Sequence, residues 1–205
     1  MSIEHHLTNA IAAKGDISEH LIYLMKLSSE CDSILECGVR TIVSSWAFVN
    51  GLTLNRSPQE KLLTCCDINI PPTIIDLEKA CINQNIALKV FKGNDLDLPM
   101  DQDYDMIFID TWHVYAQLKR ELQKFHPHAK KYIVMHDTEV DKIDGESIRD
   151  RRNTKLEAQQ SGFPEYEIRC GLERAIKEFL ILHPEWKIIK RFTHNNGLTV
   201  LQRLE

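Results

Sequence analysis

Five acidic residues stand at comparable places along this chain. Glu36 sits at the end of the apolar run Ser33 to Cys37, and Asp67 closes Lys61 to Asp67. Asp95 follows Ile86 to Phe91, Asp110 ends Tyr104 to Asp110, and Asp137 follows Tyr132 to Met135. A carboxylate is costly in the middle of an apolar sheet, so each belongs at a rim that faces a polar partner. One Asp after a strand is ordinarily a turn former or a helix cap, but five in series ask for a shared partner. Asp110 and Asp137, at the ends of adjacent strands, would repel one another unless a cation lay between them. Two imidazoles stand beside them, His113 three residues after Asp110 and His136 directly before Asp137. Imidazole changes charge near neutral pH, so it can move a proton or ligate a metal.

The elements that must position these groups follow from the apolar spacing. Asp16 to Cys31 reads as a helix, with Ile17, Leu21, Leu24, Met25 and Leu27 on one face and Asp16 as its cap. A short buried strand, Ser33 to Cys37, runs into Gly38. An apolar helix then covers Thr41 to Leu52, with Trp46 in the core, and a strand covers Lys61 to Asp67. Pro71-Pro72 opens a helix over Thr73 to Ile82. Strands follow at Ile86 to Phe91 and Tyr104 to Asp110. A helix from His113 to Phe125 carries Tyr115, Leu118, Leu122 and Phe125 on one face, and Tyr132 to Met135 is the fifth strand. Residues 139–165 are polar, a lid or a mobile insertion. A helix over Tyr166 to Leu182 precedes two strands, Trp186 to Phe192 and Leu198 to Arg203, joined by a hairpin at Asn196-Gly197.

Five β-α alternations followed by a hairpin predict an α/β fold. It is a Rossmann-like, doubly wound, seven-stranded sheet, mostly parallel, with an antiparallel C-terminal hairpin. Ligands of such sheets bind beyond the C-terminal ends of the strands, where the acidic residues fall. With 205 residues, 43% of them apolar and 27% charged, the chain suits one domain, 1–205, with an N-terminal extension over 1–16. The net charge of −5 argues against a nucleic-acid partner, and no run of about 20 apolar residues could span a membrane. The first residues lack the layout of a signal peptide, so the expected location is cytoplasmic. Six cysteines without a CxxC pair read as reduced, buried thiols. No Cys or His pair stands at zinc-finger or zinc-ribbon spacing, which argues against zinc. His5 and His6 fall in a terminus expected to fray, and His126 and His128 flank a proline on the surface.

The order of elements and the strand-end residues resemble the class I S-adenosylmethionine-dependent methyltransferases over about residues 17 to 203. The patterns are similar to the metal-dependent catechol and caffeoyl-CoA type O-methyltransferases, and to small-molecule and sugar methyltransferases related to cephalosporin hydroxylase. The carrying motif is ECGVRTIVSSW, in which Glu36 and Gly38 match an acidic-x-Gly signature while Arg40 and Ile42 replace the later glycines. The resemblance implies S-adenosylmethionine as cofactor, bound at Glu36, Gly38 and Ser44. It implies that Asp67 holds the ribose hydroxyls, Asp95 the adenine amino group, and Trp112 the face of the adenine. It further implies a divalent metal, Mg²⁺ or Mn²⁺, on Asp110 and Asp137 in FIDTWHVY and VMHDT, with His136 as a further ligand. His113 falls where such enzymes carry a catalytic base, so Asp110 and His113 become the catalytic pair. The expected acceptor is a sugar or other small molecule, with Arg149, Arg151 and Arg152 available for an anionic part of it. Two other readings remain at this stage, a nicotinamide-dependent oxidoreductase, disfavoured by the missing GxGxxG, and a non-catalytic binding module on the same fold.

Overall fold

Strands β1 (Ser33–Cys37), β4 (Tyr104–Ile109) and β5 (Ala129–His136) are apolar almost throughout because both faces of the sheet are covered. In the computed structural model, which describes residues 2–204, Ile34, Met106, Phe108 and Val134 point to one layer. Leu35, Ile107, Ile109, Ile133 and Met135 point to the other. Strands β2 (Lys61–Asp67) and β3 (Ile86–Lys92) extend the sheet on one side, and β6 (Trp186–Phe192) and β7 (Leu198–Arg203) on the other. The order is β3-β2-β1-β4-β5-β7-β6. Pairing is parallel from β3 through β5 and antiparallel at β5/β7 and β7/β6, so the expected seven-stranded sheet is the one observed.

One layer holds α1 (Ile3–Ala12), α2 (Leu21–Ser28), α3 (Val43–Leu54) and α4 (Ile74–Asn83). The other holds α5 (Tyr115–Phe125) and α9 (Leu172–Leu182). Between β5 and α9 lie α6 (Glu146–Arg149), α7 (Thr154–Ser161) and α8 (Glu165–Arg169). Among the described residues, no helix is long and apolar enough to cross a membrane.

Three expectations are corrected. Asp16 caps no helix, since its carboxylate pairs with Arg40 and α2 begins only at Leu21 after a 3-10 turn at Ser18–His20. The first residues do not fray: α1 buries Ile3, Leu7 and Ala10, the i, i+4, i+7 face of a helix, with Ser2 capping its first turn. His6 stacks on Trp46 at 4.0 Å between ring centroids, and Asn50 donates to the Ile3 carbonyl. The helix expected over 166–182 is broken at Cys170-Gly171 into α8 and α9. A Cβ on Gly171 would lie 2.4 Å from the Asp141 carbonyl, and the Gly171 and Leu172 amides donate to Ile143 and Asp141. Those bonds tie the segment after β5 to the start of α9 and leave the chain no room to continue as one helix.

Candidate active site

Strand order reverses between β1 and β4, and their C-terminal ends nearly touch. A Cβ on Gly38 would lie 1.8 Å from the Asp110 carbonyl, and Gly38 has φ +89°. Only glycine fits both demands. A cavity of about 700 Å³ opens above this junction, and Gly38, Asp67, Asp95, Asp110 and Trp112 all line it. Five of the residues singled out in the sequence therefore share one wall.

Glu36 and Ser44 do not line it. The Glu36 carboxyl lies under the loop, where it accepts hydrogen bonds from the Ser44 and Ser45 hydroxyls and the Cys65 thiol. Burial pushes this acid up to about 7, against the pull of the two serines. The group fastens the first turn of α3 to β1.

The loop between them keeps a glycine-like shape without the glycines. Arg40 has φ 44° and Ile42 φ 57°, both left-handed. Asp67 supplies part of the compensation, since its Oδ2 accepts the amides of Val39 and Arg40 at 2.7 and 2.9 Å. Its Oδ1 accepts the Asn69 amide at 2.8 Å. The Arg40 guanidinium forms a two-bond fork with Asp16, 2.9 Å on each arm, and the Ile42 side chain is buried in the core. A carboxylate offers about four acceptor positions, so Asp67 retains capacity toward the cavity.

Asp95 is held from α5. Gln117 donates to Asp95 Oδ1 at 2.9 Å and to Glu121 at 3.0 Å, and the Thr111 hydroxyl also donates to Glu121. Burial, and then the Asp95 charge, push Glu121 well above the usual carboxylate range. Thr111, Gln117 and Glu121 were missed in the sequence. Their signal was the i, i+4 spacing of Gln117 and Glu121 beside the apolar stripe of α5.

At the ends of β4 and β5, His113 lies between two carboxylates, its Nε2 3.0 Å from Asp110 Oδ1 and its Nδ1 3.0 Å from Asp137 Oδ2. Glu146 and Asp141, neither anticipated from the sequence, approach the same Nδ1 at 3.4 and 3.7 Å. Burial works against charging the ring, but Asp110, Asp137 and Glu146 outweigh it and hold His113 well above the ordinary imidazole value. His136 Nδ1 is 3.3 Å from Asp110 Oδ1, and its Nε2 meets the Asp16 carbonyl at 3.2 Å. It too is raised, with Asp110 and Asp137 overcoming burial. Burial likewise opposes ionisation of Glu146, yet His113 draws it down to about 2, whereas burial pushes Asp141 up to about 6.

This donor set fits a divalent cation. One oxygen or nitrogen from each of Asp110, His113 and Asp137 lies within 4.8 Å of the others, and Asp137 Oδ1 and Asp141 Oδ2 are buried without a hydrogen-bond partner. Carboxylate oxygens suit Mg²⁺ or Mn²⁺, and an added imidazole shifts the preference toward Mn²⁺.

The segment over 139–165 roofs the cavity. Glu146, Arg152, Glu157 and Gln160 line it. Trp112 donates to Ser147 at 3.1 Å and stacks on Phe163 at 6.3 Å. Of the three arginines singled out there, Arg152 reaches the cavity, where it pairs with Glu146 and Asp150. Arg149 is engaged with Asp141 at 2.8 Å, and Arg151 is exposed.

No family model and no curated protein matches this sequence. Solved structures do. The chain is similar to SAH-bound methyltransferase PaMTH1 of Podospora anserina, with 14% identity, TM-score 0.55, and coverage of 99% of this chain and 88% of that one. It is similar to N-methyltransferase NodS of Bradyrhizobium japonicum at 16% identity and TM-score 0.53, covering 93% and 97%. A further likeness is to an O-methyltransferase family protein of Burkholderia thailandensis at 8% identity and TM-score 0.56, covering 92% of this chain and 56% of that one. The fold is that of the S-adenosylmethionine-dependent methyltransferases, as the sequence resemblance implied. Identities this low establish the fold and leave the reaction to the site.

Proposed function

We propose that this chain is an S-adenosylmethionine-dependent methyltransferase, and specifically a divalent-metal-assisted O-methyltransferase acting on a hydroxyl of a sugar or other small molecule. The observation that carries the reading is the juxtaposition of Asp110, His113 and Asp137, in which Asp110 lines the same cavity as Asp67 while His113 and Asp137 stand behind it. A volume of about 700 Å³ lies within the range of cofactor sites. S-adenosylmethionine supplies an activated methyl group. Asp67 would accept both ribose hydroxyls, Asp95 the adenine amino group, and Trp112 would cover the adenine face. Gly38 would let the chain approach the cofactor closely, while Glu36 and Ser44 would hold the loop from behind.

Asp110 and Asp137, with His136 in place of the His113 ring that lies between them, would hold a divalent cation, which would acidify an acceptor hydroxyl and supply positive charge to the site. His113 would then be free to take the hydroxyl proton, a contribution of about 10²–10⁴-fold. The roof over 139–165 would close the acceptor off from water, with Arg152 toward any anionic part of it. The net charge of −5 supports a small-molecule acceptor over nucleic acid.

The test is transfer of labelled methyl from S-adenosylmethionine to a panel of polyhydroxylated and catechol-like acceptors, with Mn²⁺ or with chelator. The reading expects transfer that depends on metal and is abolished in Asp137→Asn, with cofactor binding nearly intact. Full transfer in excess chelator would contradict the metal and leave a metal-independent reaction.

A further inference from the structure

A second cluster of metal-ligating side chains lies at the opposite end of the sheet. His126 follows α5 in a short turn that leads into β5, His183 follows α9, and Glu185 directly precedes β6. One ligand atom from each lies within 4.8 Å of the other two. These residues are far apart in the sequence, so no spacing motif joins them, and the absence of finger or ribbon spacing says nothing about them.

The cluster is held in place. The rings of His126 and His183 are 4.0 Å apart between centroids, tilted by 47°. Phe179 backs both, stacked on His183 at 4.6 Å and edge-on to His126 at 5.5 Å. Each histidine precedes a proline, Pro127 or Pro184, and the turn at 183–186 is closed by the Trp186 amide on the His183 carbonyl at 3.0 Å. The His183 Nδ1 lies 3.2 Å from Glu185 Oε1. His126 Nδ1 is buried and has no hydrogen-bond partner, an unmet need that a metal bond would satisfy. The cation on this side, Arg203, is turned to the Ala129 carbonyl and the Trp186 ring. His183 and Glu185 are partly exposed, which leaves an entry path.

We propose that His126, His183 and Glu185 form a transition-metal site of zinc type that ties the end of α5, the end of α9 and the start of β6 together. Two imidazoles and one carboxylate suit Zn²⁺, which binds such ligands at about 2.0–2.2 Å with a water in the fourth place; Mg²⁺ and Ca²⁺ ask for oxygen ligands. Donor atoms around a tetrahedral zinc lie about 3.4 Å apart, so the cluster closes by small side-chain movements that the partly exposed Glu185 can supply. The site lies away from the cavity, and bound zinc would add a cross-link to the packing and hydrogen bonds that already join these three elements.

The experiment is a zinc titration of the chelator-stripped full chain by calorimetry at pH 7.5. It is run in an Asp110→Asn/Asp137→Asn background to silence the other cluster, and it is followed by urea unfolding with and without zinc. One equivalent should bind in this background. His183→Gln should weaken binding at least tenfold, Glu185→Gln should weaken it several-fold, and the zinc-dependent rise in the urea midpoint should vanish in His183→Gln. In the otherwise unaltered chain, zinc should shift the ring proton signals that disappear in His126→Gln and His183→Gln, which serves if the background fails to fold. Equal zinc affinity with and without His183, or zinc shifts confined to His113 and His136, would overturn the proposal.

Discussion

Asp110 and Asp137 come from neighbouring strands and meet on opposite nitrogens of one imidazole, each 3.0 Å from the His113 ring. In the absence of a divalent cation, this ring is the nearer of two imidazoles that hold the carboxylates together, the other being His136, 3.3 Å from Asp110 and 3.6 Å from Asp137. Removing His113 leaves Asp110, Asp137, Asp141 and Glu146 facing one another. His113→Gln should therefore destabilise the chelator-treated protein by about 3 kcal/mol, the order seen when one member of a buried ion pair is deleted. Mn²⁺ should recover more of that loss in His113→Gln than it adds to the wild type. Thermal melts of both proteins with Mn²⁺ and with chelator check this; equal metal-induced shifts would show that the cation does not take over the ring's charge.

Glu36 sets a pH dependence of its own. Its carboxyl is raised to about 7 by burial, from an ordinary 4.5. A raised acid favours the folded state below the unfolded pKa, and that advantage is lost as pH rises through the folded one. Stability should thus fall between pH 4.5 and 7, by about 3 kcal/mol at most from this group, at 1.36 kcal/mol per pKa unit. Glu36→Gln should remove that part of the decline and leave the protein no less stable than wild type at pH 8. Urea unfolding at a series of pH values measures it; the same slope in both proteins would mean that Glu36 is charged in the fold.

The loop after β1 makes a prediction about backbone strain. Arg40 sits at φ 44° where glycine would be at ease. Both Arg40→Gly and Arg40→Ala lose the exposed pair with Asp16, so their difference isolates the backbone. The glycine variant should be more stable than the alanine variant by about 1 kcal/mol, the penalty for a side chain in the left-handed region. Chemical denaturation of the two decides it, and a more stable alanine variant would show that the loop relaxes.

The sheet was legible because its inner strands are buried on both faces. Runs such as Tyr104 to Asp110 leave little choice, and turns such as Asn196-Gly197 announce themselves. The first helix was hidden because its apolar face is narrow, Ile3, Leu7 and Ala10 between two histidines and an acid. The break at Cys170-Gly171 was hidden because its cause is a carbonyl about thirty residues earlier. In the candidate site, residues at strand ends could be placed, since topology brings strand ends together. Asp141 and Glu146 could not, because they reach His113 from a mixed-charge stretch whose path no periodicity defines.

The most direct measurement is a calorimetric titration of the chelator-treated protein with S-adenosylhomocysteine, repeated with Asp67→Asn. One binding site is expected, insensitive to chelator because the cofactor would be held mainly at the ends of β1 to β3. A loss of at least tenfold in affinity is also expected in the folded variant, since a hydrogen bond to a charged group is worth about 1.5–3 kcal/mol. No binding by the wild-type chain, or equal affinity in a folded Asp67→Asn protein, would contradict the cofactor assignment.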